Sequence, residues 1–517
     1  MSEVLARITA QRRQRVAALR QQSAHLHPGD LPRSTRSLQA ALEPGGAFIM
    51  ECKSASPSRG TIRADYRPQQ LARTYSRYAA AISVLTEPDF GGSYAHLQAV
   101  ALATHLPVLC KDFVVDEVQL LAARHFGADA ALLMLSVLDD GEYTRLAAYA
   151  DALGLDVLTE VSSPEEMRRA AALGAGIIGI NHRDLRDLSI DLERSARLAP
   201  LAPAGAVLVA ESGLSTRAQV QQVAPWVQGF LVGSSLCAQP DVDRAARRLV
   251  YGEHKVCGLT TPEAAQVAAA AGAAYGGLIF APQSPRCVSQ TEALAITAAA
   301  PELDYVAVYT GMDVAEAAAL AAALPLYALQ LHGAQDDAFI AALREQVPGV
   351  ELWYALDMTR QPPRPSAPVD RWVLDNGAGG TGQSFDWSRI PPELLPQALL
   401  AGGLGPHNAA AALATGAAGL DFNSGLERQK GIKDAALIAQ TFAAVRRAIQ
   451  APTFPLPRRP CHDPCPFPHP RRPDAPAGLL WRVWRPVCAR NPAAGPRPAR
   501  GRVHGRAGRP RLSSRIP

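Results

Sequence analysis

Sixteen short apolar runs, each followed by an Ala- and Leu-rich stretch, constrain this chain more than any other feature. The first eight are AFIM (47–50), AISVL (81–85), PVLC (107–110), DAALLM (129–134), DVLT (156–159), GIIGI (176–180), AVLVA (206–210) and GFLVG (229–233). After RRLVYGEH the pattern restarts with HKVCG (254–258), GGLIF (276–280), YVAVY (305–309), YALQL (327–331), VELWYAL (350–356), RWVLD (371–375), ALLAGG (398–403) and GLDF (419–422). Continuous apolar strands separated by helical stretches signal a parallel sheet covered on both faces. Eight of them in about 250 residues count out a (β/α)8 barrel, and the second set a slightly smaller one. An open, doubly wound sheet has the same periodicity, because periodicity does not report closure. The placement of polar residues favours two consecutive (β/α)8 TIM barrels.

The length of 517 residues, 48% hydrophobic and 19% charged, gives room for two or more packed domains and excludes a small or wholly disordered protein. The expected boundaries are 1–252, opening with a basic helical segment over 1–46, then 253–450, then a tail over 451–517. That tail carries 14 Arg, no Lys, 2 Asp, no Glu and 16 Pro, a net +12 against +5 for the whole chain, so residues 1–450 sum to about −7. The body therefore offers no electrostatic reason to bind nucleic acid. The tail is expected to be disordered and without function. Zinc at Cys461, Cys465 and His469 and a basic nucleic-acid arm are the alternatives there. The N-terminus lacks the apolar core of a secretory signal, and no stretch has the length of a membrane span. With cysteines scattered through the body, a reducing cytoplasm is expected.

In the first half, apolar runs end at Glu51 and Lys53, at Lys111, at Glu160, at Asn181, and at Glu211 with Ser212. Side chains at the C-terminal ends of barrel strands converge on one mouth, where this fold does its chemistry. Any one of them reads equally well as a surface charge flanking a strand; several strands ending alike do not. Carboxylates and lysines crowded together shift one another and keep an acid and a base ready at one pH. In the second half Cys257 ends the first strand and Asp375 the sixth, a proton acceptor facing a donor, although a buried cysteine is also ordinary packing. Arg286, Gln330 and His332 add a cation and hydrogen-bonding groups, with a structural role open for His332. The two halves also repeat a Gly-rich pattern: ESGL (211–214) precedes GSSL (233–236), and AGGL (401–404) precedes FNSGLE (422–427). Gly213 to Ser234 and Gly403 to Ser424 both span 21 residues. Such turns after strands seven and eight expose backbone N–H groups suited to phosphate, which points to two phosphorylated substrates.

With FIMECKSASPSRG, LCKDF, LMLSVLDD, LTEV, IGINHRDL, ESGL and LVGSSL, residues 1–252 resemble indole-3-glycerol-phosphate synthases. With KVCGLT, GGLIFAPQSPRCV, LQLHG, VLDNGAGGTGQSFDW, LLAGGLG and GLDFNSGLE, residues 254–448 resemble phosphoribosylanthranilate isomerases. Their order resembles the bifunctional tryptophan-biosynthesis enzymes of enteric and related bacteria. The resemblance implies that Asp375 protonates the ribose ring oxygen and Cys257 removes the C2 proton. Gly402, Gly403, Asn423 and Ser424 would hold that substrate's phosphate, with Arg286 near the anthranilate carboxylate and Asp421, Gln330 and His332 in the same site. For ring closure it implies Lys111 as general acid, Glu160 as general base in dehydration, Lys53 and Glu51 as positioning and polarising groups, and Asn181 and Arg183 as supports. Ser56, Gly213, Gly233 and Ser234 would bind phosphate, Glu211 and Ser212 would contact substrate, and Phe113 would wall the aromatic pocket. No metal or organic cofactor is implied; the partners are phosphorylated anthranilate substrates, with no nucleic acid and no membrane, and a monomer is expected. His182 departs from the synthase pattern and Tyr354 from the isomerase pattern, where Lys is usual. The rivals are a histidine-pathway phosphosugar isomerase, which generally uses an Asp pair, and a nucleic-acid-binding protein acting through the tail.

Overall fold

Alternation along each short strand decides which side chains enter a barrel and which face its helices. In the first strand, Ala47 and Ile49 join an interior cluster with Leu109, Leu132, Leu158, Val209 and Leu231. Their neighbours Phe48, Met50 and Cys52 pack outward against the helical shell. The structure, a computed structural model, describes residues 3–450 apart from 57–59, 185, 334, 361–363 and 378–382. The tail 451–517, with Cys461, Cys465, His469 and Cys488, lies outside the described residues, as do 57–59 and 378–382 of the quoted motifs.

Both sheets close. In the first barrel the strands are Ala47–Cys52, Ala81–Leu85, Val108–Lys111, Ala130–Met134, Asp156–Val161, Ile177–Asn181, Val207–Glu211 and Gly229–Val232, all parallel, with Ala47 opposite Gly229 at the seam. In the second they are Lys255–Cys257, Tyr275–Phe280, Asp304–Tyr309, Leu326–Leu331, Glu351–Asp357, Arg371–Asp375, Ala398–Leu400 and Gly419–Phe422, with Lys255 opposite Asp421 at the seam. The open-sheet alternative is thereby excluded. The intervening helices begin where Asp, Ser or Thr caps free N–H groups, as Asp116, Asp139, Thr216, Ser289 and Asp313 do in reciprocal capping boxes.

The basic N-terminal segment is less uniform than its composition suggests: a helix over Glu3–Gln22, then non-helical chain with one turn at Pro28–Asp30, then a short helix at Leu38–Leu42. Two small hairpins, Ala55–Ser56 with Gly60–Thr61 and Glu427–Gln429 with Ile432–Lys433, are additions with no apolar run to announce them. The helix Val242–Tyr251 ends the first barrel against the strand starts of the second, where Arg247 donates to the Ala269 carbonyl and Arg248 pairs with Asp304. Among the described residues no helix is long and apolar enough to cross a membrane.

Candidate active sites at the two barrel mouths

At the C-terminal mouth of the first barrel lies a cavity of about 320 Å³. Lys111, ending the third strand, donates to Glu211 Oε2 at 2.6 Å and to Glu160 Oε2 at 3.3 Å. Asn181 Nδ2 donates to Glu160 Oε1 at 3.1 Å, and the Arg183 N–H donates to Asn181 Oδ1 at 3.0 Å. Lys53 pairs with Glu51 across the first strand's end. Burial draws the Lys111 ammonium down, but the carboxylates of Glu211, Glu160 and Glu51 outweigh it and hold the group above the ordinary lysine range. Burial pushes the Glu211 carboxyl up, against the pull of Lys111. Glycine at 179 leaves the Glu211 carboxylate its place: a Cβ there would stand 1.8 Å from Glu211 Oε1 and oblige it to move.

A second cavity of about 320 Å³ occupies the corresponding mouth of the other barrel. Cys257 and Asp375 both line it. Burial pushes Asp375 up to about 6, opposed by the Asn376 N–H that donates to its Oδ1 at 2.7 Å. Burial also pushes the Cys257 thiol up, while Lys255 and Lys433 pull it down. Beneath the mouth, fully buried Lys255 donates to Asp421 Oδ2 and to Gln330 Oε1, both at 2.7 Å. Arg286 is gripped by Glu427 through Nε at 2.7 Å and Nη2 at 2.8 Å, and Lys433 donates to the same Glu427 at 2.8 Å. Burial, reinforced by Lys255, pushes His332 down, so its imidazole is neutral near pH 7.

The first cavity gathers Glu51, Lys53, Ser56, Lys111, Phe113, Glu160, Asn181, Arg183, Glu211, Ser212, Gly213, Gly233 and Ser234. The second gathers Cys257, Arg286, Gln330, His332, Asp375, Gly402, Gly403, Asp421, Asn423 and Ser424. In both barrels the turn after strand seven has two consecutive residues with positive φ: Ser212 at 67° with Gly213 at 79°, and Gly402 at 91° with Gly403 at 61°. Ser212 holds a conformation that costs a non-glycine residue about 1–2 kcal/mol, a strain that clusters at functional sites.

Neither sequence departure lines either mouth cavity. His182 is wholly buried, its ring nitrogens 3.1 Å from the Ser212 carbonyl and 2.7 Å from Ser195 Oγ, and burial pushes it down to about 4. Tyr354 turns outward to the helical shell, where its hydroxyl donates to the Gly333 carbonyl at 3.2 Å. Its even position in the fifth strand puts it on the far face from Trp353 and Ala355 in the barrel interior. Sequence reasoning missed Lys255, Glu427, Lys433 and Gly179. Lys255 was detectable in principle, as a charge two residues before Cys257 and so on the same strand face. Among the described residues, no group of three or more His, Cys, Asp or Glu is placed to hold a metal.

Comparison with known proteins agrees with this division. A family model described as indole-3-glycerol phosphate synthase matches residues 5–249, and one described as N-(5'phosphoribosyl)anthranilate isomerase matches 254–444. The tryptophan biosynthesis protein TrpCF of Corynebacterium glutamicum is 52% identical over 464 residues, covering 86% of this chain and 97% of that protein. TrpCF of Salmonella typhi is 49% identical, covering 86% of this chain and all of that protein. The crystal structure of TrpF from Jonesia denitrificans is 33% identical over 39% of this chain and 99% of that one, with a TM-score of 0.35. The chain therefore belongs to the TrpCF family of bifunctional tryptophan-biosynthesis enzymes, with an indole-3-glycerol phosphate synthase in its first barrel and a phosphoribosylanthranilate isomerase in its second.

Proposed function

We propose that residues 253–450 isomerise N-(5-phosphoribosyl)anthranilate with Asp375 as general acid and Cys257 as general base, and that residues 1–252 close the indole ring with Lys111 as general acid and Glu160 as general base. In the isomerase, Asp375 gives a proton to the ribose ring oxygen as the ring opens, and Cys257 removes the C2 proton to form the enolamine. Tautomerisation then yields 1-(2-carboxyphenylamino)-1-deoxyribulose 5-phosphate. A carboxyl pushed up to about 6 is a better proton donor near neutrality than an ordinary aspartate. Gly402, Gly403, Asn423 and Ser424 take the phosphate on backbone N–H groups and short polar side chains, and Arg286, fixed by Glu427, faces the anthranilate carboxylate.

In the synthase, Lys111 protonates the ketone oxygen as the aromatic ring attacks, CO₂ leaves, and Glu160 accepts the proton lost in dehydration. Lys53, Glu51, Asn181 and Arg183 orient and polarise the intermediate, and Glu211 keeps Lys111 charged. Ser56, Ser212, Gly213, Gly233 and Ser234 take the phosphate, and Phe113 walls the ring. The observation that carries this reading is that each mouth combines a proton donor and an acceptor with the same left-handed turn after strand seven. We further infer a cytoplasmic monomer that needs no cofactor and no nucleic acid: only protons, water and CO₂ move in the two reactions, and residues 1–450 carry a net charge of about −7. Incubation of purified protein with phosphoribosylanthranilate and a chelator should yield indole-3-glycerol phosphate and CO₂. Recovery of unchanged substrate contradicts the reading.

A further inference from the structure

Lys255 is the one lysine on the first strand of the second barrel, and its side chain has no exposure to solvent. A buried ammonium is costly unless paired and hydrogen-bonded. Here Asp421 and Gln330 each accept from it at 2.7 Å. The lysine and the cysteine two residues on both lie against Gly277 of the neighbouring strand: a Cβ added there would meet Cys257 Sγ at 2.7 Å and Lys255 Cε at 2.9 Å. The strand's two-residue period sends both side chains into the barrel, the lysine one layer below the thiol. A structural ion pair would satisfy the charge anywhere in the core; this one lies directly under the reacting sulfur.

We propose that Lys255 is a positioning residue of the isomerase, supplying the fixed positive charge against which the Cys257 thiolate forms. The inference rests on Cys257 being the base. Burial draws the lysine down, but Asp421 and Cys257 outweigh it, so the ammonium persists across neutral pH. The other charged groups around the thiol are largely spent on one another. Asp421 from the last strand is paired with Lys255, while Arg286 and Lys433 share Glu427. His332 from the fourth strand's end is neutral near pH 7, and Asp375 from the sixth, pushed up to about 6, is ionised at neutral pH and opposes the thiolate rather than stabilising it.

The test is the pH dependence of Cys257 alkylation by iodoacetamide in the full chain, followed by peptide mapping with exposed Cys287 as internal standard. Lys255→Gln should move the half-point upward by a full pH step, a loss of about tenfold in alkylation rate at neutral pH. Lys255→Arg, which keeps the charge, should stay near wild type, and synthase turnover should be unchanged in both. Lys255→Gln leaves Asp421 unpaired, so if that variant does not fold the double variant Lys255→Gln/Asp421→Asn, which buries no lone charge, must still show an upward movement, smaller than tenfold because Asp421 itself pushes the thiol up. A wild-type profile in Lys255→Gln or in the double variant overturns the assignment, and so does a shift in Lys255→Arg as large as that in Lys255→Gln. Alkylation needs no substrate, so these outcomes judge Lys255 alone; normal isomerase turnover in Cys257→Ser would instead sink the reading beneath it.

Discussion

On the proposed reading, the two mouths anchor phosphate alike and move protons differently. Both follow strand seven with two left-handed residues, Ser212–Gly213 and Gly402–Gly403, and both place a serine 21 residues beyond the second of the pair, at Ser234 and Ser424. Their reacting groups diverge. In the first mouth the acid and base sit in one ionic network, Lys111 between Glu211 and Glu160. In the second the charges are drawn below or beside the site, in the Lys255–Asp421 and Arg286–Glu427–Lys433 groups. The proposed base and acid stand apart from those pairs, with Lys255 the charge beneath the thiol. On this reading phosphate recognition is a property of backbone shape at fixed positions in the fold, whereas reaction type resides in a few side chains at strand ends.

The sharpest way to break this contrast is Cys257→Ser. A serine hydroxyl is far less acidic than a thiol, so isomerase turnover should fall by about 10²–10⁴-fold while synthase turnover is untouched. Steady-state assay of each half-reaction decides it, and near-normal isomerase kinetics would return this cysteine to packing. Next in size is Gly179→Ala, whose methyl group would displace Glu211 from Lys111. Misplacing a reacting group by about 1 Å costs on the order of 10²-fold, and here the loss should appear in the synthase alone.

The pH profiles sharpen the comparison further. The competent isomerase carries a proton on Asp375 and none on Cys257, the same proton count as its resting carboxylate and thiol. Its kcat/KM should therefore rise through about 6, stay level through neutrality, and fall above the raised value of the thiol. The synthase acid Lys111 is held above the ordinary lysine range, so its alkaline limb should lie at higher pH than the isomerase limb. Coincident alkaline limbs would show that the two mouths do not differ as described.

The smallest effect is on stability. Asp375 is raised in the folded chain, so its contribution is full below the unfolded carboxyl value and is lost as pH rises through about 6. At neutral pH its ionised form is a cost, and Asp375→Asn should stabilise by about 1–3 kcal/mol in urea unfolding near pH 7.5, the gain vanishing in acid. Equal stability of the two proteins at both pH values would mean that the carboxyl is better solvated than its burial implies.

Much of this was legible before any coordinates. All sixteen strands appear as apolar runs, because strands buried on both faces leave no polar alternation to confuse them. The mouth residues were legible for the same reason: Lys111, Glu160 and Asp375 are abrupt polar ends to apolar runs. Glu427 and Lys433 were not, since their hairpin carries a single large apolar residue, Ile432, and its role depends on Arg286 arriving from 141 residues away. Gly179 was invisible because its function is the absence of a side chain beside Glu211, a contact only the closed barrel creates.

The central claim is that one chain carries two independent sites, each served by its own strand ends. The most direct test assays both half-reactions in Lys111→Ala and in Asp375→Asn, with the fold of each verified by circular dichroism. Lys111→Ala should lose ring closure and accumulate the carboxyphenylamino-deoxyribulose phosphate at the wild-type rate. Asp375→Asn should leave phosphoribosylanthranilate unconverted yet close the ring of that intermediate when it is supplied. Loss of both reactions from either substitution in a folded chain would contradict the account.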